Sequence, residues 1–207
     1  MGYIIAMDEM LIAKCVASNI CHEIANSISV IKFVEEDVSL LLNSRDNSLG
    51  EVLQLLFQNV DSLINSMNFF RDLYSLSSSN KEIIQTVVKM YEYKNVKISG
   101  TNSKTLELIT NSRVEKIVAA VLFVVLKLSN KGNKVIFDIP NNDSIIINVK
   151  KYSPEFKTEV IKILNQELTP DVFNVIGYYV RCLAQTEEYE IRIDSKNSEN
   201  LRIIICK

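Results

Sequence analysis

The chain has 207 residues, of which 47% are hydrophobic and 23% are charged, and its formal net charge is −2. This composition is typical of a globular protein with a substantial core. The slightly acidic balance, without a basic patch, predicts no nucleic-acid partner. The most apolar run, residues 117–126, is much shorter than the ~20 residues of a transmembrane helix, so we predict a buried helix and no membrane association.

The cysteines and the start of the chain bear on the compartment. Cys15, Cys21, Cys182 and Cys206 form no C-x-x-C pair, and a single histidine leaves no zinc-type cluster. The first ten residues, MGYIIAMDEM, contain neither a basic stretch nor a cleavage-like site, so no signal peptide is expected. Reduced thiols and a cytoplasmic location are the resulting expectations.

Two long helices are predicted first. Residues 8–42 contain no proline or glycine and carry apolar residues at spacings of three and four. Residues 43–48 form a polar turn, and Ser48 with Glu51 makes a capping box that starts the second helix. That helix has a heptad-like apolar stripe and stops in the polar segment 77–80, a natural domain boundary.

The two helices form an antiparallel hairpin that cannot bury its apolar stripes fully by itself. Leu40, Leu53, Phe57 and Ile64 lie beside the main stripes and need further cover. A second copy of the chain would supply it, which predicts a homodimer with a four-helix bundle. The alternative is that the C-terminal half covers these faces within one chain.

Helices and strands alternate from residue 81 onward, which predicts an α/β sandwich with helices on one face of a small sheet. The fold class is therefore α+β, with a helical domain at 1–79 and an α/β domain at 80–207. The predicted helices are 81–93, 112–129, 154–165 and 169–185, the last capped by Thr169 with Pro170 at its first position. The predicted strands are 96–99, 134–139, 144–150, 189–194 and 201–206.

His22 is the one histidine of the chain and the candidate for imidazole chemistry. It lies two positions from both Ile20 and Ile24 of the buried stripe, about 200° around the helix, which directs it into solvent. The predicted partner-binding residues on its face are Ser18, Asn19, Ala25 and Ser29, which would admit a partner closely, and Phe33, further along, as a docking anchor.

A neutral imidazole nitrogen is a competent nucleophile near neutral pH. Glu23 could orient the ring or stabilise the charge that develops on it, and Asn26 could hydrogen-bond a phosphoryl oxygen or a water. His22, Glu23 and Asn26 are therefore the candidate catalytic residues. The alternatives are that all three belong to an ordinary solvated helix surface, and that Phe33 packs under the C-terminal half.

The run Ser18-Asn-Ile-Cys-His-Glu-Ile-Ala-Asn-Ser27 resembles the phosphoacceptor box of histidine kinases and, more closely, of the ChpT-type histidine phosphotransferases of alphaproteobacteria. The segment Met67-Asn-Phe-Phe-Arg-Asp-Leu-Tyr74 is also similar, as is the order of elements in the second half. Two positions depart from the pattern: Ser27 stands where the family usually has proline, and Asn19 where it often has arginine.

The resemblance implies a dimerisation and phosphotransfer hairpin followed by a domain folded like a kinase ATPase domain that has lost nucleotide binding. Val124 stands where such a domain needs a magnesium-binding asparagine, and Lys150-Lys151 where an aspartate is expected. The five glycines are never close together, so no phosphate-cradling loop is available. We expect no ATP, no resident metal and no other cofactor.

These residues predict an enzyme, a histidine phosphotransferase that shuttles phosphoryl groups through His22 between receiver-domain aspartates. Its expected partners are receiver domains of a hybrid histidine kinase and of response regulators, which would bring the Mg²⁺. The alternative is a dimeric interaction protein without chemistry, a reading that the departures at Ser27 and Asn19 leave open.

Overall fold

A computed structural model of the chain describes residues 2–44, 49–75, 82–100, 109, 111–141, 144–165, 170–172, 174–194 and 200–207. Its α-helices are α1 (Gly2–Ser44), α2 (Leu49–Tyr74), α3 (Ile83–Met90), α4 (Ser112–Leu128), α5 (Pro154–Leu164) and α6 (Val175–Thr186). Its strands are β1 (Lys97–Ser99), β2 (Lys134–Asn141), β3 (Ser144–Lys150), β4 (Glu190–Asp194) and β5 (Asn200–Cys206). The α+β class is confirmed.

Helices α1 and α2 form the predicted hairpin and pack along each other. Only residues 45–48 separate them, so the two helices run in opposite directions. The predicted capping residue Ser48 lies outside the described residues. Val34 is buried in the hairpin, whereas Ile28, which follows Ile24 of the predicted buried stripe at a spacing of four, is 46% exposed.

The five strands form one sheet in the order β1-β2-β3-β5-β4. Strand β1 pairs parallel with β2, and the other neighbours pair antiparallel. Alternate residues such as Val135, Ile147 and Ile203 point into the core on the helix side. Period-2 alternation thus gives the sheet one buried face and one open face.

One hydrophobic core joins the hairpin to the sheet region. Phe69 stacks on Phe123 of α4 with ring centroids 4.9 Å apart, and Phe70 meets the same ring edge-on at 5.8 Å. The run 117–126 in α4 is buried, as predicted. The predicted domain boundary at residues 79 and 80 lies outside the described residues, so the division into two domains remains a prediction.

Two predicted helices start or end elsewhere. The helix predicted from Thr169 begins at Val175, because Asp171 and Asn174 each accept a hydrogen bond from the other's backbone N–H and hold a turn before it. The helix predicted to reach residue 93 ends at Met90 and continues as a 3₁₀ turn, Glu92–Lys94. Asn95 then adopts the left-handed conformation, with φ of 53°, which stops the helical path.

No helix within the described part of the chain is long and apolar enough to cross a membrane.

Candidate functional site

The phosphoacceptor candidate His22 lies at mid-length on α1 and is exposed, as the helical spacing predicts. Ser18, Ala25 and Ser29 are exposed on the surrounding surface. The hydroxyl of Ser29 donates to the Ala25 carbonyl at 2.9 Å, which folds it onto its own helix. His22 therefore stands among short side chains that leave it accessible. Phe33 further along α1 is 70% exposed, so it does not pack under the C-terminal half.

Asn26 is the side chain that meets the ring at Nδ1. Its Nδ2 lies 3.2 Å from His22 Nδ1, one helical turn away. In this orientation Nδ2 donates to Nδ1 when Nδ1 carries the lone pair of the neutral ring. A half-turn of the amide would bring Oδ1 to Nδ1, where it would accept from Nδ1–H and leave the lone pair on Nε2. The ring tautomer decides between these two hydrogen bonds.

Glu23 connects α1 to the C-terminal half of the chain. Its Oε1 lies 2.6 Å from Lys127 Nζ in the last turn of α4, and both side chains are mostly buried. The Lys127 ammonium also lies 5.6 Å from the centroid of the Phe123 ring. The pair therefore orients the carboxylate that neighbours His22 and fixes α1 against α4.

Lys94 adds a second cation at this place. Its Nζ donates to the carbonyls of Leu126, Lys127 and Ser129 at 3.3, 2.6 and 3.2 Å, which caps the carboxyl end of α4. Burial lowers the pKa of Lys94, the Lys127 charge lowers it further, and the Glu23 carboxylate opposes both. Two ammonium groups and one carboxylate thus make the junction of α1 and α4 net positive.

A groove of 440 Å³ opens between α1, α2 and α3 beside these residues. Its lining includes Glu23 and Asn26 from α1, Ser62 and Asn59 from α2, and Tyr91 after α3. The lining mixes polar and apolar side chains, with Val30, Leu55 and Met90 beside the polar ones. Within the described ranges, no group of three or more histidine, cysteine, aspartate and glutamate residues could hold a metal ion.

The prediction that Asn19 lies on the exposed face is wrong. Asn19 is 1% exposed, and its Nδ2 donates to the Val172 carbonyl at 2.5 Å. The segment before α6 covers this side of α1, and Cys15 contacts the Pro170 carbonyl one turn earlier. Asn19 thus anchors α1 to the C-terminal half, and its surroundings give a receiver no access to it.

Lys127 and Lys94 were not predicted as site residues. Each is separated from Glu23 by more than 70 residues of chain, and helical periodicity relates only positions within one element. The one sequence feature that hinted at a site residue was Lys127, a cation at the end of the apolar run of α4. Basic residues are common in the last turn of a helix, so this position alone did not distinguish it.

No protein-family model matches the chain, and no curated protein sequence matches it. Among solved structures, the chain is similar to a bacterial phosphotransferase, with a TM-score of 0.68 and 16% identity over 94% of this chain and 95% of that one. It also matches the Acinetobacter baumannii histidine kinase AdeS, with a TM-score of 0.43 and 14% identity over 89% of this chain and 97% of that one. The first likeness shows that the chain shares the phosphotransferase's fold.

Proposed function

We propose that the chain is a histidine phosphotransferase of a phosphorelay. His22 accepts a phosphoryl group from an aspartate in the receiver domain of a hybrid histidine kinase and passes it to receiver domains of response regulators. The observation that carries this proposal is an exposed histidine among short side chains, with a side-chain amide at Nδ1.

The proposed transfer step uses Nε2 of the His22 ring. Nε2 of the neutral imidazole attacks phosphorus, the bond between phosphorus and the aspartyl oxygen breaks, and the aspartate leaves as a carboxylate. Nδ1 keeps its proton, so the phosphorylated ring carries a positive charge until that proton is released. Asn26 stabilises this form when its amide oxygen accepts from Nδ1–H. We expect the receiver to supply the Mg²⁺.

The charges around Glu23 suit this transfer. The incoming phosphoryl group is dianionic, and two positive charges lie beside Glu23, one on Lys127 of α4 and one on Lys94, whose Nζ caps α4. Glu23 accepts from Lys127, which keeps the carboxylate from repelling the phosphoryl group at full strength. The ion pair therefore supports the proposal that Lys127 attracts the phosphoryl group and that Glu23, once paired, does not block its approach.

Transfer without ATP is part of the proposal and rests on the residues of the second half. Val124, at the position matched to the magnesium-binding asparagine, is 4% exposed, and its side chain offers no oxygen. Lys150 and Lys151 stand in place of the expected aspartate, and both are exposed. Phosphate would then reach His22 only from another protein.

The proposed molecule is a homodimer. Leu40 on α1 and Phe57 and Ile64 on α2 are 67%, 64% and 50% exposed. Such apolar side chains along a two-helix hairpin are covered when two hairpins pair into a four-helix bundle.

The test loads a hybrid-kinase receiver domain with radiolabelled phosphate, removes ATP and mixes the receiver with the protein. We expect acid-labile label on the wild type and none on His22→Ala. Cys21→Ser is the matched control, because Cys21 is the exposed neighbour of His22, and it should take label like the wild type.

The exposed apolar hairpin also favours the second candidate, a dimeric binding protein without chemistry. Absence of label on the wild type, with a receiver that phosphorylates a known phosphotransferase, would favour this candidate and reject the relay. Equal label on wild type and His22→Ala would place the chemistry on another residue.

A further inference from the structure

The open face of the sheet carries a row of lysines at one end. Strand register sets Lys97 of β1 opposite Lys134 of β2, and Lys134 opposite Lys150 of β3. All three are exposed, and Lys151 follows directly with a left-handed backbone, φ of 58°. We call these four residues the lysine row.

This arrangement is electrostatically unfavourable in the free protein. Adjacent strands are about 4.8 Å apart, and like charges placed directly opposite on neighbouring strands destabilise the sheet. Among the residues that the structure describes, none of the four lysines has a carboxylate within 4.0 Å. The lysine row can therefore bind negatively charged groups of another molecule.

The lysine row also surrounds a concavity. A shallow hollow of 810 Å³ is lined by the four lysines together with Gly132, Tyr152 and Asn200. Gly132 adds no side chain to the hollow, and Tyr152 offers a half-buried ring. A hollow with cationic walls and an aromatic side chain can hold a short peptide segment with carboxylate side chains.

The charge pattern of the same face favours a protein over a nucleic acid. Following the register along the strands from the lysine row, the face next presents Arg202 opposite Asp194, then exposed Asp138 and Arg192, and last Glu190, which pairs with Arg192. Three carboxylates against two guanidinium groups leave this part of the face without the net positive charge that a phosphate backbone continuing along the strands would need. The basic surface is about three strands wide, which suits a few carboxylates rather than a long polyanion.

We propose that the lysine row is a docking site for an acidic segment of a partner protein. Because it lies on the sheet face opposite the helices that contact α1, an acidic segment bound there would leave His22 uncovered. The proposal does not depend on the role of His22, since it rests on strand register and charge alone.

The test measures binding of a fluorescein-labelled glutamate-rich peptide to the full chain by fluorescence anisotropy. We compare the wild type with the triple variant Lys97→Gln/Lys134→Gln/Lys150→Gln. The control triple, Lys14→Gln/Lys32→Gln/Lys89→Gln, removes the same charge from exposed positions on α1 and α3. Removing three exposed charge contacts should weaken binding about tenfold.

The expected result is weaker binding by the row variant alone, an unchanged control, and affinity that falls as potassium chloride is raised. The row variant should melt no lower than the wild type, because it loses mutual repulsion. Equal affinity of all three proteins, or an equal loss in both triples, would overturn the proposal. The wild type could instead bind single-stranded DNA more tightly than the peptide, and the row variant could lose that binding. This result would overturn the choice of an acidic protein segment as the partner.

Discussion

At the residue scale, the proposed transfer depends on the contact between Asn26 and His22 Nδ1. Asn26→Ala removes the acceptor for Nδ1–H, and we expect transfer to slow about tenfold, equivalent to about 1.4 kcal/mol. Asn26→Asp keeps an acceptor oxygen and should retain transfer close to the wild-type rate. Single-turnover transfer from a labelled receiver measures both. Equal rates for Asn26→Ala and the wild type would contradict the proposed role of Asn26.

Lys127 makes a second prediction at this scale. Lys127→Met leaves the Glu23 carboxylate without this ion pair in a mostly buried place, and we expect a loss of about 1–3 kcal/mol in the free energy of unfolding. Urea denaturation measures the loss, and the rate of transfer should fall as well. Lys127→Arg keeps the charge and should restore part of both.

The control for Lys127 is Arg192→Met. Arg192 pairs with Glu190 at 2.6 Å on β4, and both side chains are well exposed, at 63% and 58%. Solvent screens that pair, so its loss should leave stability and transfer nearly unchanged. A similar loss of stability in both variants would show that the burial of Glu23 and Lys127 has no special effect.

Helical periodicity predicted the exposure of His22 correctly. Each residue turns the helix by about 100°, so the position of a side chain relative to the buried stripe depends only on its spacing within the same helix. The same argument put Asn19 in solvent wrongly. The residues that bury it come from the segment before α6, and no local pattern indicates that this segment crosses α1. Ion pairing of Glu23 with Lys127 was missed for the same reason.

At the scale of elements, the contact of α2 with α6 gives a prediction on pH. Burial raises the pKa of Tyr74 above its ordinary value of about 10, and the nearby Tyr179 raises it further. A raised folded-state pKa stabilises the fold below pH 10, and this contribution is lost as the pH rises above that value. Tyr74→Phe should therefore flatten the alkaline loss of stability.

At neutral pH the same variant should be at least as stable as the wild type, because the buried Tyr74 hydroxyl has no hydrogen-bond partner among the described residues. Tyr179→Phe is the contrasting variant. Its hydroxyl donates to the Leu73 carbonyl at 2.7 Å, so its removal should cost about 1 kcal/mol. Thermal melts from pH 7 to 11 measure both. A steeper alkaline loss in Tyr74→Phe would contradict the assignment.

The elements that the sequence predicted well are those with strong internal periodicity. The long helices, the buried α4 and the hairpin of β2 and β3 needed only local spacing and turn residues. The start of α6 was misplaced because Pro170 is compatible with both a helix start and a preceding turn. Reciprocal bonding of Asp171 with Asn174 favours the turn.

At the scale of the whole molecule, the exposed apolar side chains of the hairpin predict its assembly. Phe57→Glu/Ile64→Glu places two charges on the surface proposed to pair, and we expect a dimer to become a monomer with its helical content intact. Analytical ultracentrifugation measures the mass. Gln54→Glu/Gln58→Glu adds the same charge at exposed polar positions of α2 and should stay dimeric. A monomeric wild type would refute the proposed bundle.

Phosphoryl transfer to His22 can be measured most directly because the chain has one histidine. Protein labelled with ¹⁵N-histidine gives a single set of ring-nitrogen signals in NMR, which can be followed while a phosphorylated receiver domain is added. We predict a new ³¹P signal coupled to Nε2 of His22, with Nδ1 still facing Asn26. Unchanged ring nitrogens with a competent receiver, or phosphorus coupled to Nδ1, would contradict it.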